Sequence, residues 1–183
     1  MMAVVSGSVN YGWLPLSAGA CLLVAFVVPY IIAVRLDHVY PILPFISDTG
    51  ALHPENCVFG QMMNMASALL IVITYIRYKQ VAQTGPTELQ QLNNAAAFFG
   101  CVAAAGMSVV ANFQIDLNSQ HSLETVTHDF GALVCFGGGF FFSSAQSLLT
   151  YKLAADFWSW VMALLRAALS LAALIFIITT LEL

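Results

Sequence analysis

The sequence predicts an all-α protein, a polytopic transmembrane helical bundle with five spans in a single domain, and three observations support this fold class. Of the 183 residues, 60% are hydrophobic and only 8% are charged, whereas an ordinary soluble domain carries about 25% charged residues. Apolar runs of about 20 residues, long enough to cross a hydrocarbon core as helices, recur along the chain. These runs do not alternate in polarity as the strands of a membrane barrel do.

The first predicted span covers residues 13–34. It opens at Pro15, which a first helical turn tolerates, and it carries Pro29 near its far end, where we expect a kink. A cleaved signal peptide is the competing interpretation. The span is favoured because no basic region precedes the run and no small-residue cleavage pattern precedes Arg35.

The other four predicted spans cover residues 58–76, 95–113, 130–149 and 157–180. Asn64 and Gln146 lie inside spans and are predicted to donate hydrogen bonds between helices. Arg166, in the fifth span, is the one clearly intramembrane cation, which by default indicates a functional role. The alternative is that its side chain extends to the interface, where Trp158 and Trp160 indicate an aromatic belt.

The charged residues predict the orientation of the bundle. Five crossings place Arg77, Lys79 and Lys152 on one side, and the other side carries Arg35 as its only basic residue. The acidic residues of that second side are Asp37, Asp48, Glu55, Asp116, Glu124, Asp129 and Glu182. Because basic loops stay in the cytoplasm, the N-terminus is predicted to be cytoplasmic and the second side lumenal or extracellular.

Charge and cysteine usage exclude several function classes. A net charge of −4 with five Lys and Arg residues is unlike a nucleic-acid-binding surface, which needs a dense basic patch. The four cysteines form no CxxC pair and have no regular spacing, so they indicate neither a disulfide framework nor a zinc site. No cofactor is predicted.

Two stripes of small residues, spaced four apart, predict how helices pack. They are Ala96, Gly100, Ala104, Ser108 and Asn112 in the third span, and Gly131, Cys135, Gly139, Ser143 and Ser147 in the fourth. Small side chains on one helix face let two backbones approach closely in lipid, so we expect these stripes to pair the two helices. The alternative is that small residues are simply common in membrane helices.

A polar cluster is predicted at the lumenal ends of the helices. Its members are Asp48, Glu55, Asn112, Gln114, His128 and Asp129. A histidine beside carboxylates can serve as a general base, a metal ligand or a proton sensor. We favour a structural role, because the adjacent His128 and Asp129 point about 100° apart on a helix and cannot both face one substrate.

Two weaker patterns lie on the same side. Asp48 begins an Asp-Thr-Gly triplet like that of aspartic proteases, but a second triplet and a β-scaffold are missing, so a turn is favoured. The histidines His38, His53, His121 and His128 are all on this side. They show no zinc-ligand spacing, so no metal site is predicted, although they would become charged in an acidic compartment.

Six segments together resemble the damage-regulated autophagy modulator (DRAM) family in order and spacing: PFISDTG (44–50), PENCVFG (54–60), YIRYKQV (75–81), GMSVVANFQ (106–114), HDFGA (128–132) and QSLLTYK (146–152). The resemblance implies a multi-pass protein of lysosomal and endosomal membranes that promotes autophagy. The wider group includes lipid-remodelling factors for GPI anchors and a regulator of phosphoinositide synthesis. Its members have six spans, so this chain is expected to lack the sixth. No catalytic residue is carried over, because the family has no agreed one.

Two functional hypotheses follow. The first is a non-enzymatic endolysosomal protein that regulates autophagy through contacts with membrane lipids or with membrane proteins of lysosomes or endosomes. The second is a lipid-remodelling enzyme or accessory factor that uses the polar cluster, centred on His128, as acid and base. A transporter is disfavoured, because the spans offer only Arg166 and Pro29 as charged or broken positions.

Overall fold

The computed structural model describes residues 11–119 and 121–181, with the side chains of 176–181 outside the description. This part of the chain forms five long helices and no β-strand. They are α1 (Trp13–Arg35), α2 (Glu55–Thr84), α3 (Gln90–Asn112), α4 (Leu123–Lys152) and α5 (Phe157–Leu181). Each helix is long and apolar enough to cross a membrane. The predicted all-α class and its five membrane helices are confirmed, and the protein is a multi-pass membrane protein.

The helices α2 and α4 extend beyond the apolar segments that predicted them. Helix α2 begins at Glu55 and continues past Arg77 to Thr84, because Pro86 restricts the backbone just before it and ends the helix. Helix α4 begins after Ser122, whose Oγ accepts a hydrogen bond from the Thr125 N–H at 3.1 Å. Hydropathy marks only the part of a helix inside hydrocarbon, so it misses polar turns at the ends.

Each helix packs against its neighbours in the chain, and the most extensive contact joins α3 to α4. This contact depends on two glycines. A Cβ on Gly106 would collide with the backbone N of Cys135, and one on Gly138 would lie 2.9 Å from the backbone N of Ala103. The two backbones therefore touch, as small residues permit in lipid.

The predicted stripe of α3 faces mainly α2, which corrects the expected pairing of the two stripes. A Cβ on Gly100 would lie 2.6 Å from Thr74 Oγ1 of α2 and 3.0 Å from the Phe142 ring of α4. The Ala104 carbonyl accepts a hydrogen bond from Ser67 at 2.7 Å. Ser108 likewise donates to Asn64 of α2 at 2.9 Å.

The predicted stripe of α4 is divided between faces. Gly131 faces Val109 of α3, whereas Ser143 accepts a hydrogen bond from Ser170 of α5 at 2.7 Å. A Cβ on Gly139 would meet nothing within 4 Å. The reason is geometric, since each step of four residues turns about 40° further around a helix with 3.6 residues per turn. A stripe of five such positions therefore winds from one neighbour to the next.

Candidate functional site

Most of the polar cluster lies at the end of the bundle where α2 begins and α3 ends, here called the Glu55 end. A short 3-10 turn, Asp48–Gly50, lies there against α1 and α2. The Thr49 hydroxyl donates to the Ile46 carbonyl at 2.7 Å and holds this turn. The cluster residues are therefore supplied by a loop and by three helix ends.

The end of α1 brings His38 to Glu55. Asp37 adopts a left-handed conformation with φ 57°, and the His38 N–H donates to the Ala33 carbonyl at 2.9 Å. This pattern is a Schellman turn, which reverses the chain at a helix C-terminus. It places His38 Nδ1 2.6 Å from Glu55 Oε1.

The Glu55 carboxyl group is fully buried, whereas 27% of the His38 side chain is exposed. The second carboxyl oxygen, Oε2, has no hydrogen-bond partner among the described residues. A buried carboxylate is costly unless it is paired, and His38 is the group that pairs with it. Within the described residues this is the one contact between a basic and an acidic side chain at salt-bridge distance.

His128 fastens α4 to the end of α3. Its ring is buried, and Nδ1 lies 2.6 Å from the Phe113 carbonyl oxygen. A carbonyl only accepts, so Nδ1 carries the proton and donates it. This bond satisfies one of the backbone carbonyls that a helix C-terminus leaves without a partner.

Asp48 lies near enough to His128 to interact with it electrostatically. Burial raises the pKa of Asp48, while a hydrogen bond from the Phe45 backbone and the positive charge of His128 act in the opposite direction. Burial has the larger effect because it penalises the charged form of a carboxyl group.

The two amides of the cluster have other partners. Asn112 exchanges amide hydrogen bonds with Asn64 at 3.2 and 3.1 Å. Gln114 donates to the Ala111 carbonyl at 2.9 Å and lies against Gly60. Both side chains therefore join α2 to α3. The expected interhelical role of Asn64 is confirmed, whereas Gln146 accepts from Arg77 rather than donating to another helix.

The structure therefore places Asp48 within electrostatic range of His128 and the other members at separate contacts. Asp129 is exposed, on a different face of α4 from the buried His128. Within the residues that the structure describes, no three His, Cys, Asp or Glu side chains are placed to hold a metal ion. The chemistry available at this end is proton exchange between His38 and Glu55 and hydrogen bonding that fixes helix ends.

Sequence reasoning missed His38 as the partner of Glu55 and placed Arg77 in a loop. The Gly85-Pro86 pair is a signal that could have extended the second helix past Arg77, because this dipeptide commonly follows a helix. No comparable local signal identifies His38, since its contact depends on the three-dimensional course of the α1–α2 connection.

The chain matches the family model of the Frag1/DRAM/Sfk1/Cwh43P N-terminal domain over residues 10–181. It is similar to DNA damage-regulated autophagy modulator protein 2 of Homo sapiens, with 41% identity over 70% of this chain and 47% of that protein. Protein 1 of the same name, also from Homo sapiens, is 38% identical over 70% of this chain and 52% of that protein.

Transmembrane protein 150A of Xenopus laevis is 34% identical over 75% of this chain and 48% of that protein. The chain thus spans about half the length of the curated relatives it matches. No solved structure matches it.

Proposed function

Because the chain belongs to the Frag1/DRAM/Sfk1/Cwh43P family, we propose that it modulates autophagy from endosomal and lysosomal membranes, through contacts with membrane proteins or lipids rather than by catalysis. The observation that carries this proposal is its similarity, at about 40% identity, to two proteins named as autophagy modulators. Its orientation in this proposal has the N-terminus in the cytoplasm, which the distribution of basic residues supports.

The geometry of the Glu55 end supports contact rather than catalysis. Glu55 is fully buried, and His128 is buried with Nδ1 committed to the Phe113 carbonyl. A general acid or base has to come within hydrogen-bond reach of its substrate. Both groups instead hold helix ends together.

The connection between α1 and α2 offers a surface suited to such contacts. Several of its apolar side chains are exposed, and Leu43 is 94% exposed. The exposed members are Tyr40, Ile42, Leu43, Phe45 and Ile46. An apolar patch of this kind is typical of protein-binding or membrane-binding surfaces.

A lipid-remodelling activity is the second candidate function. The observation that favours it is the buried Glu55, which has one carboxyl oxygen paired with His38 and the other without a partner. Such a pair can pass a proton to or from a lipid group, provided that the connection between α1 and α2 moves aside.

The two candidates are separated in cells that lack their own DRAM proteins. Four versions of the protein are expressed: the unchanged full chain, Glu55→Gln, His128→Ala and the exposed-residue control His121→Ala. Organelle fractionation, autophagic flux and cellular lipid composition are then measured. The proposal predicts that the wild-type chain fractionates with lysosomes or endosomes and raises flux without changing lipid composition. A lipid change that depends on Glu55 or His128 but not on His121 would instead establish the enzyme.

A further inference from the structure

Two arginines meet at the opposite end of the bundle, where α4 ends at Lys152, here called the Lys152 end. Arg77 of α2 donates from Nε to Gln146 Oε1 at 3.0 Å and from Nη2 to Thr150 Oγ1 at 3.4 Å. Arg166 of α5 donates from Nη1 to the same Thr150 oxygen at 2.7 Å. One hydroxyl of α4 thus bridges guanidinium groups from two other helices.

In the part of the chain that the structure describes, every acceptor of these two guanidinium groups is neutral. Thr150 donates its own proton to the Gln146 backbone carbonyl at 2.7 Å, so toward the arginines it acts only as an acceptor. No carboxylate in the described part of the chain lies within salt-bridge distance of Arg77 or Arg166. Most of the N–H donors of the two side chains therefore have no protein partner there.

The acidic residues of this end do not neutralise the arginines. Asp156 accepts the Ser159 N–H at 2.8 Å and caps the first turn of α5, and Glu88 lies in the α2–α3 connection. Two positive charges that are partly shielded from water repel each other more strongly than in bulk solvent. An anion bound between them would offset this repulsion.

The position of the pair indicates the class of anion. Arg166 reaches from inside α5 toward the last turn of α4, and the exposed Trp158 and Trp160 at the start of α5 indicate the interface. Tryptophans of membrane proteins concentrate at the level of the lipid headgroups, and long arginine side chains extend to that level. Guanidinium groups bind phosphate through paired N–H donors, and two of them can hold several oxygens of one phosphate.

We propose that Arg77 and Arg166 form a binding site for a phosphate group, with Thr150 fixing the two guanidinium groups in place. The phosphate is that of an anionic lipid headgroup or of a soluble phosphate anion. Loss of both guanidinium groups removes the charge-assisted hydrogen bonds to the phosphate, which are the stronger class of hydrogen bond.

The full chain, purified in an uncharged detergent, provides the test. Native mass spectrometry measures binding of dioleoyl phosphatidic acid and of dioleoylglycerol, which has the same acyl chains without the phosphate. The arginine variant is the double substitution Arg77→Gln/Arg166→Gln. It is compared with a lysine variant, Lys79→Gln/Lys152→Gln, which loses the same charge at the same end of the bundle. We expect phosphatidic acid to bind the arginine variant at least about tenfold more weakly than wild type, and the lysine variant within about threefold of wild type. Equal loss in both variants, or equal binding of the two lipids by wild type, rules out a lipid headgroup as the source of the phosphate.

A second measurement does not depend on the variants folding. Wild-type protein is treated with phenylglyoxal, which modifies arginine. The reaction is run in the presence of phosphatidic acid, in the presence of millimolar inorganic phosphate, or with neither compound. Protection of Arg77 and Arg166, but not of Arg35 at the other end, by the lipid alone assigns the site to a headgroup. Protection by inorganic phosphate assigns it to a soluble anion. Protection by neither compound overturns the proposal.

Discussion

Replacing Gly106 with alanine tests the close contact between α3 and α4. A Cβ at this position would collide with the backbone N of Cys135 and lie 2.7 Å from the Gly131 carbonyl oxygen. Both are backbone atoms of α4, which cannot rotate away as a side chain can. Since ordinary contact begins at 3.4 Å, the two helices have to separate by several tenths of an ångström along their most extensive contact.

Overpacking of this kind costs about 1–3 kcal/mol, and the better helix propensity of alanine returns at most about 1 kcal/mol. Gly106→Ala should therefore lower the free energy of unfolding. Gly139→Ala is the matched control, because it makes the same chemical change in α4 where a Cβ meets nothing within 4 Å. It should leave stability unchanged or raise it by up to about 1 kcal/mol.

The assay is unfolding in mixed detergent micelles, followed by the fluorescence of the three tryptophans. The two variants should shift the unfolding transition in opposite directions, or their free energies of unfolding should differ by about 2 kcal/mol. If Gly106→Ala is as stable as Gly139→Ala, then α3 and α4 do not approach at Gly106 and the described interface is wrong.

Three further predictions concern the Glu55 end, the α2–α3 contact and the topology. Burial raises the pKa of Asp48 in the folded state, so its contribution to stability is full below the unfolded pKa and is lost as pH rises through the folded pKa. Wild type should therefore gain stability relative to Asp48→Asn as pH falls from 7 toward 4 in the same unfolding assay, and a stability difference that does not change with pH would contradict this. Asn64→Ala removes the paired amide hydrogen bonds between α2 and α3 and should lower the free energy of unfolding by about 1 kcal/mol; an unchanged transition would show that these bonds contribute nothing. Single cysteines at Gly85 and Ser119, in a background without the native cysteines, should be labelled by a membrane-impermeant maleimide from opposite sides, with Gly85 cytoplasmic, and labelling of both from one side would remove the third crossing.

The number of helices was predictable because it depends on the length and apolarity of the apolar runs, and both can be read directly from the sequence. Helix ends were not predictable from hydropathy alone, since Glu55 and Arg77 continue a helix although neither is apolar. The separation of His128 from Asp129 followed from helix geometry, because adjacent residues point about 100° apart.

The contacts between elements were harder to predict. The stripe through Gly100 and Ser108 was assigned to α4 but faces mainly α2, because positions four apart wind around the helix. The pairing of His38 with Glu55 depends on the turn at Asp37, and that turn is recognisable only once the end of α1 is known. Long-range side-chain partners of this kind leave no periodic signal in a single sequence.

Autophagic flux in cells that lack their own DRAM proteins decides whether this chain modulates autophagy as proposed. Turnover of an autophagic cargo reporter is measured with and without lysosomal inhibition, before and after expression of the full chain. We expect expression to raise inhibitor-sensitive turnover while the protein resides in endosomal or lysosomal membranes. Unchanged turnover with the folded protein in those membranes would contradict it.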